Sequence, residues 1–418
     1  MNPERSWILY DVANSAFILL ACSVLPIYFY DLAMEAGHSS ADYLAYWSIA
    51  TAVSTLVMFV VGPLVGSLSD RKGWRRPIFM GTVVTGVLLC VALGLPKWWV
   101  TFLVIYILVK IAYNASLVVS DGMLNDITTP ERMDEVSSRA YAMGYIGSCI
   151  PFIACLVLVV FSDMMDPEGY VMSFQTAVML GLIITAGWWL MMSLPLFRDY
   201  RQICYNTIEG KGVWGRLSTF LDTLKEMSKI PAMMTFLISF FFYIDGVYTV
   251  MELSTSYGEA LGLGSVGLLG ALLVSQIVAF PSTLFMSRMS NRYGAHRVIY
   301  VCIAGYMGIA AFSLVLDSIV QFFILAICVG LFQGAIQALS RAYFARMVPK
   351  DKTGEFFGIM DVFGKGATIV GTVSVAAATM FSGEIRCVGL ILLAMFTIGL
   401  LFFARSTRVK VYDADHTV

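Results

Sequence analysis

Apolar runs of about 20 residues recur from one end of this chain to the other, which is the length an α-helix needs to cross the hydrocarbon core of a bilayer. Counting on that basis predicts about twelve spanning helices, near 7–31, 43–68, 77–96, 99–126, 138–161, 172–196, 231–252, 266–287, 298–316, 319–345, 356–381 and 386–405. The breaks between them are short, except for one of about 34 residues between the sixth and seventh runs. Two breaks read alike: Asp70-Arg71-Lys72-Gly73-Trp74-Arg75-Arg76, and about 220 residues later Asn291-Arg292-Tyr293-Gly294-Ala295-His296-Arg297. Each is a short basic loop with a central glycine. A repeat of that period divides the chain into two similar halves, an architecture common among proteins that move solutes across membranes. The expected fold is an all-α membrane protein with twelve transmembrane helices in two pseudo-symmetric six-helix bundles. The bundles are expected at residues 1–197 and 231–405, with a linker at 198–230 and a tail at 406–418.

The charge balance agrees. Charged residues make up 13% and hydrophobic residues 59% of the 418, whereas soluble domains carry roughly 25% charged residues. A net charge of −1 argues against a nucleic-acid partner. The eight cysteines show no CxxC spacing and mostly fall inside apolar runs, so they read as packing residues. The first run is too long for a cleaved signal and carries Asp11, which makes it a retained helix. All 27 lysines and arginines except Lys97, Arg386, Lys110 and Lys365 fall on the side that holds the N-terminus. That bias predicts a multi-pass protein of the cell (inner) membrane with both termini cytoplasmic. In the linker, Trp214, Leu217, Phe220, Leu221, Leu224 and Met227 recur at helical spacing, predicting an amphipathic helix on the cytoplasmic leaflet. The tail after Arg408 is polar and is expected to be mobile.

A charge at the centre of a membrane helix costs at least about 2.5–3.5 kcal/mol, so each one needs a partner or a wet cavity. The candidates within the spans are Asp11, Lys110, Asp121, Asp126, Asp245, Glu252, Asp361 and Lys365; no histidine is among them. Asp245 falls near the middle of the seventh run and is followed by Gly246, a pair tolerated only against protein or water. It is a candidate protonation or substrate-amine site, or a structural partner of Lys110. Lys110, with Asn114 one turn on, could receive a substrate carboxylate, and an acid and a base at similar depth would suit a zwitterion. Asn14, Tyr248, Glu252, Gln333 and Gln337 complete the expected substrate or proton site. The cavity is expected between helices 1, 4, 7 and 10. Nearer the cytoplasmic ends, Asp11, Asp121, Arg139, Arg341, Asp361 and Lys365 place opposite charges from both halves at one level, the pattern of an inner gate made of ion pairs. No nucleotide loop, metal cluster or nucleophile arrangement is present, so an enzyme, a cofactor or a bound metal is not expected. The expected partners are a small-molecule substrate, membrane lipid and a coupling proton, and the chain is expected to act as a monomer.

The run Gly66-Ser67-Leu68-Ser69-Asp70-Arg71-Lys72-Gly73-Trp74-Arg75-Arg76 resembles the signature loop of the major facilitator superfamily. A narrower resemblance covers the whole chain. It rests on Trp7-Ile8-Leu9-Tyr10-Asp11-Val12-Ala13-Asn14-Ser15-Ala16-Phe17, on Ser137-Ser138-Arg139 with Ala142, Gly144, Tyr145 and Gly147, and on Asp245-Gly246-Val247 with Thr249. Gly330-Leu331-Phe332-Gln333-Gly334, Gln337-Ala338-Leu339-Ser340-Arg341 and Glu355-Phe356-Phe357-Gly358 continue it. These residues are similar to those of the vacuole-effluxer family, whose fungal members export amino acids from the vacuole. The resemblance implies the major facilitator fold, alternating access, and export or proton-coupled exchange of amino acids. It also implies that Asp70 latches onto the start of helix 11, where the positive helix end would meet it. The second-half copy of the loop departs from the pattern, with Ser287 in place of glycine and Asn291 in place of aspartate. Export of an amphiphile on the same fold, and a membrane sensor that transports nothing, are the alternatives.

Overall fold

Inside a bilayer the backbone has no water to bond, so each apolar run closes its own hydrogen bonds as a helix. The computed structural model of this chain describes residues 2–162, 171–206, 223–260, 265–382 and 387–408. The first half contains α1 (Pro3–Glu35), α2 (Ser40–Ser69), α3 (Arg75–Ala92), α4 (Trp99–Gly122, prolonged by the short turn Leu124–Ile127), α5 (Met133–Val160) and α6 (Phe174–Asp199). The second contains α7 (Pro231–Ala260), α8 (Ser265–Tyr293), α9 (Ala295–Ser313), α10 (Ile319–Ala345), α11 (Thr353–Ser382) and α12 (Cys387–Arg408). Local chemistry sets several of the starts. Asn2 caps α1 ahead of Pro3, Ser39 and Asp42 form a reciprocal capping box on α2, and Ser173 and Ser318 cap α6 and α10.

Among the described residues, 11 helices are long and apolar enough to span a membrane. The twelfth expected span, α11, is 30 residues long and carries Glu355, Asp361 and Lys365. The halves repeat one another in detail. The third helix of each is the shortest of its half, at 18 and 19 residues. Each follows a loop glycine in the left-handed region, Gly73 at φ 76° and Gly294 at φ 90°. Large apolar side chains such as Leu56, Leu88, Ile150, Leu194, Phe285 and Leu401 lie exposed along the outer helix faces, where lipid would cover them. The described cysteines are all free. Of the expected linker helix, 223–228 is helical with Met227 fully buried, while Trp214, Leu217, Phe220 and Leu221 lie outside the described residues, as does the tail beyond 408.

The halves meet along two crossings at the basic end. In one, α2 packs on α11 with Gly62 and Gly66 against Gly358 and Gly354; in the other, α5 packs on α8. Small residues let the backbones approach closely at such crossings.

Candidate functional site

A cavity of about 380 Å³ lies between the halves. It is lined by α1, α4, α7 and α10, as expected, and also by α2, α5, α8 and α11, while α3, α6, α9 and α12 stay outside it. Its lining runs along α10 from Arg341, near the basic end, to Phe322, near the opposite end, about 28 Å of helix at 1.5 Å per residue. The first half contributes mainly polar groups, among them Asn14, Ser15, Thr51, Thr55, Lys110 and Asn114. The second half contributes apolar ones, among them Ile244, Leu272, Leu325 and Val329, together with Tyr248, Gln276, Gln333 and Gln337.

Arg341 closes the basic end. It leaves α10 and enters a slot made wholly by the first half. One terminal nitrogen donates to Asp121 Oδ1 at 3.0 Å and the other to Asp11 Oδ2 at 3.0 Å, while Nε donates to Ser137 Oγ at 3.0 Å. The guanidinium lies between the rings of Trp7 and Tyr141, 4.4 and 4.5 Å from their centroids. Its side chain is only 5% exposed. A cation this deep is tolerated because two carboxylates and two π-faces replace its water. Asn14 Nδ2 donates to Asp11 Oδ1 at 3.3 Å and to the Tyr10 carbonyl at 3.0 Å, which orients the carboxylate toward the arginine. Also lining the cavity, Lys365 pairs with Asp361 one turn away on α11. Lys110 also lines it, with its ammonium 5.7 Å from the Tyr106 ring. Gln337 Nε2 donates to Tyr145 Oη at 3.1 Å and to the Gln333 carbonyl at 3.0 Å, joining α10 to α5.

A second cluster lies below, around Asp70. Its carboxylate accepts the backbone N–H groups of Gly354 at 2.8 Å and Glu355 at 2.9 Å, the first residues of α11, and also pairs with Arg75. This is a carboxylate at a helix N-terminus, where free N–H groups and the helix dipole both favour it. Arg75 is fully buried; it binds Asp126 at 2.7 Å and the Thr353 hydroxyl at 2.8 Å. Asp126 in turn takes the Tyr200 hydroxyl and the N–H groups of Ile203 and Cys204. The chain leaving α6 is thereby strapped over the α2–α3 loop. Gln202 accepts from Gly73 N–H at 2.8 Å and donates to the Ser69 carbonyl at 3.0 Å, and Asn206 N–H donates to the Asp70 carbonyl at 2.7 Å. The far end of the linker holds α11: Thr223 donates to the buried Glu355, and Lys352 pairs with Glu226 at 2.6 Å. Partial burial works to lower the Lys352 pKa, and Glu226, with Glu355 and Asp351, more than reverses it, leaving the ammonium above its ordinary value.

Three expectations are corrected. Arg139 is not at the gate: its side chain is half exposed and pairs with Glu135 at 2.5 Å on its own helix. Asp245 is fully buried but does not line the cavity; it accepts from Thr249 at 3.3 Å and lies against Gly371 of α11, inside the second half. Lys110 lines the cavity, so the two do not form one site facing the same space. The side chain of Glu252 lies outside the described residues. Sequence reasoning did not find Trp7 and Tyr141 as the walls around Arg341. The signal was present: Trp7 with Asp11, and Ser137 with Tyr141, are each four apart and share a helix face.

The profile of the family described as "Vacuole effluxer Atg22 like" matches residues 40–411. The chain belongs to this family. It is 35% identical over 406 residues to the uncharacterized MFS-type transporter YxiO of Bacillus subtilis, covering 96% of this chain and 94% of YxiO. It is 21% identical over 404 residues to autophagy-related protein 22 of Kluyveromyces lactis, covering 87% of this chain and 79% of that one. Among solved structures, it superposes on the major facilitator superfamily transporter FucP of E. coli in the outward conformation with a TM-score of 0.69. That match has 14% identity and covers 97% of each chain, so it speaks to fold. The vacuole effluxer Atg22-like chain described here is thus a multi-pass membrane transporter of the major facilitator type and not an enzyme.

Proposed function

We propose that this protein moves a small polar metabolite by secondary transport, with amino acids the favoured class, and that it alternates access to the cavity between its halves. The observation that carries this reading is a chamber sealed at the basic end by Arg341 and lined by Lys110 and by the Asp361–Lys365 pair. At about 380 Å³ it falls in the usual range for small-molecule sites of about 300–1,000 Å³. Lys110 and Asn114 would take a carboxylate, and the carboxylates at the floor would take an ammonium or a proton. The choice of amino acids rests on the resemblance to vacuole effluxers. The Lys/Arg bias supports both termini lying in the cytoplasm of a cell whose inner membrane holds the protein, so the conformation described is outward-facing. Proton coupling, in this reading, uses Asp11, Asp121 or Asp361, which reach the chamber, rather than Asp245.

The test is counterflow in proteoliposomes containing the purified protein. Labelled amino acid should accumulate, and Lys110→Gln should raise KM at least about tenfold if it binds the carboxylate. No counterflow with any amino acid would refute the substrate class. The apolar wall on α7, α8 and α10 supports a second reading, export of an amphiphile. Inhibition by lipophilic cations and not by amino acids would select it. A reconstituted protein that moves nothing under any imposed gradient would instead be a sensor.

A further inference from the structure

The basic face carries a groove outside the chamber, beside the Asp70 cluster. It is lined by Lys72 of the α2–α3 loop, Arg76 and Met80 of α3, and Tyr200, Arg201 and Tyr205 of the strap after α6. Lys72, Arg76 and Arg201 are exposed, and among the described residues no carboxylate pairs with any of them. Of the carboxylates nearby, Asp70 and Asp126 are already held by Arg75, and Asp199 accepts from the Ser6 hydroxyl at 2.8 Å. The Lys72 ammonium lies 5.4 Å from the Tyr205 ring, which turns it toward the groove wall rather than away into solvent. Three unneutralised cations around one concave surface call for an anion.

The level of the groove says which kind. Trp74, about half exposed and overlaid by Arg71 at 5.6 Å, stands beside it as an interfacial aromatic would. Along α3 from Pro77, which also lines the groove, the face carrying Gly81, Val84 and Leu88 is exposed and apolar. An acyl chain lying on that stripe would end with its headgroup among Lys72, Arg76 and Arg201. We propose that this groove binds the phosphate headgroup of an anionic lipid. The bound phosphate bridges the loop and α3, through Lys72 and Arg76, to the strap, through Arg201. The strap is the segment whose Gln202 and Asn206 grip the Asp70 loop, so the lipid fastens the strap over that loop. The assignment does not depend on which solute the chamber carries.

The experiment uses the purified full-length protein in detergent. It is titrated with short-chain phosphatidylglycerol, with short-chain phosphatidylcholine and with inorganic phosphate, while thermal unfolding is followed and bound lipid is counted by native mass spectrometry. Phosphatidylglycerol should raise the unfolding temperature at concentrations at least about tenfold below phosphatidylcholine. The variant K72Q/R76Q/R201Q should lose that preference, and R288Q/R292Q/R405Q, which removes the same charge elsewhere on the basic face, should keep it. Arg201→Gln alone, outside any helix and so without cost to helix formation, should weaken binding about fivefold. Equal responses to the two lipids, or an undiminished response in K72Q/R76Q/R201Q, would overturn the site. An equal response to inorganic phosphate would overturn the lipid in favour of a free anion.

Discussion

Arg341 and Arg139 occupy comparable depths in the sequence, yet one binds two carboxylates of the opposite half and the other pairs with its own helix. Depth along a helix is legible from sequence, whereas rotation about its axis is set by packing against neighbours. Asp245 fails for the same reason: its level was right, but its side chain faces α11 and not the chamber. The pairing of Asp11 and Asp121 with Arg341 was legible because opposite charges in hydrocarbon have to meet. The aromatic walls around Arg341 were not, because tyrosine and tryptophan are at home anywhere in a membrane protein. Replacing Arg341 with glutamine should leave two carboxylates facing each other in the closed form. Breaking a buried pair costs on the order of 3 kcal/mol, roughly a hundredfold in the closed-to-open ratio. A cysteine placed at Asn125, whose amide donates to the Ala345 carbonyl across the seam, should then be alkylated much faster in detergent. An unchanged labelling rate would remove Arg341 from the gate. Asp245→Asn, in contrast, should leave KM for the transported solute unchanged; a large rise would return Asp245 to the binding site.

The two basic loops look alike in sequence and share a glycine of positive φ, but their helices are fastened differently. In the first copy the loop carboxylate, Asp70, caps α11. In the second the carboxylate has moved to the facing helix: Asp134, at the start of α5, accepts from Ser290 at 2.6 Å and pairs with Arg346 at 2.7 Å. The departure at Ser287 and Asn291 was visible in the sequence, but its compensation was not, because the compensating residue lies about 150 positions away. The α2–α11 crossing gives a sharp test of these contacts. A Cβ on Gly354 would collide with the Gly66 carbonyl and the Asp70 carboxylate, whereas one on Gly81 meets nothing within 4 Å. Alanine ordinarily favours a helix over glycine by up to about 1 kcal/mol, and overpacking costs about 1–3 kcal/mol. Gly354→Ala should therefore lower the unfolding temperature and widen the distance between spin labels on α2 and α11, while Gly81→Ala should do neither. A neutral Gly354→Ala would show that the crossing is loose.

At the scale of the whole molecule, alternating access requires the α5–α8 seam to part at the basic face once per cycle. Cysteines at Asp134 and Ser290, whose side chains now touch, should form a disulfide that stops counterflow, and a reductant should restore it. Transport that continues through the cross-linked form would rule out rocking of the halves. The two-bundle plan was readable from hydropathy and the loop repeat, since a bilayer leaves a chain few other choices. The role of the linker was not, because its sequence suggested only an apolar stripe. In the structure its two ends are committed to different partners, 200–206 to the α2–α3 loop and Thr223 with Glu226 to the head of α11. A gene split between codons 206 and 223 would thus deliver two polypeptides that each keep their own clamp. Co-translated, such fragments should reassemble into a working carrier, whereas a cut placed before Tyr200 would strand the first clamp on the wrong fragment.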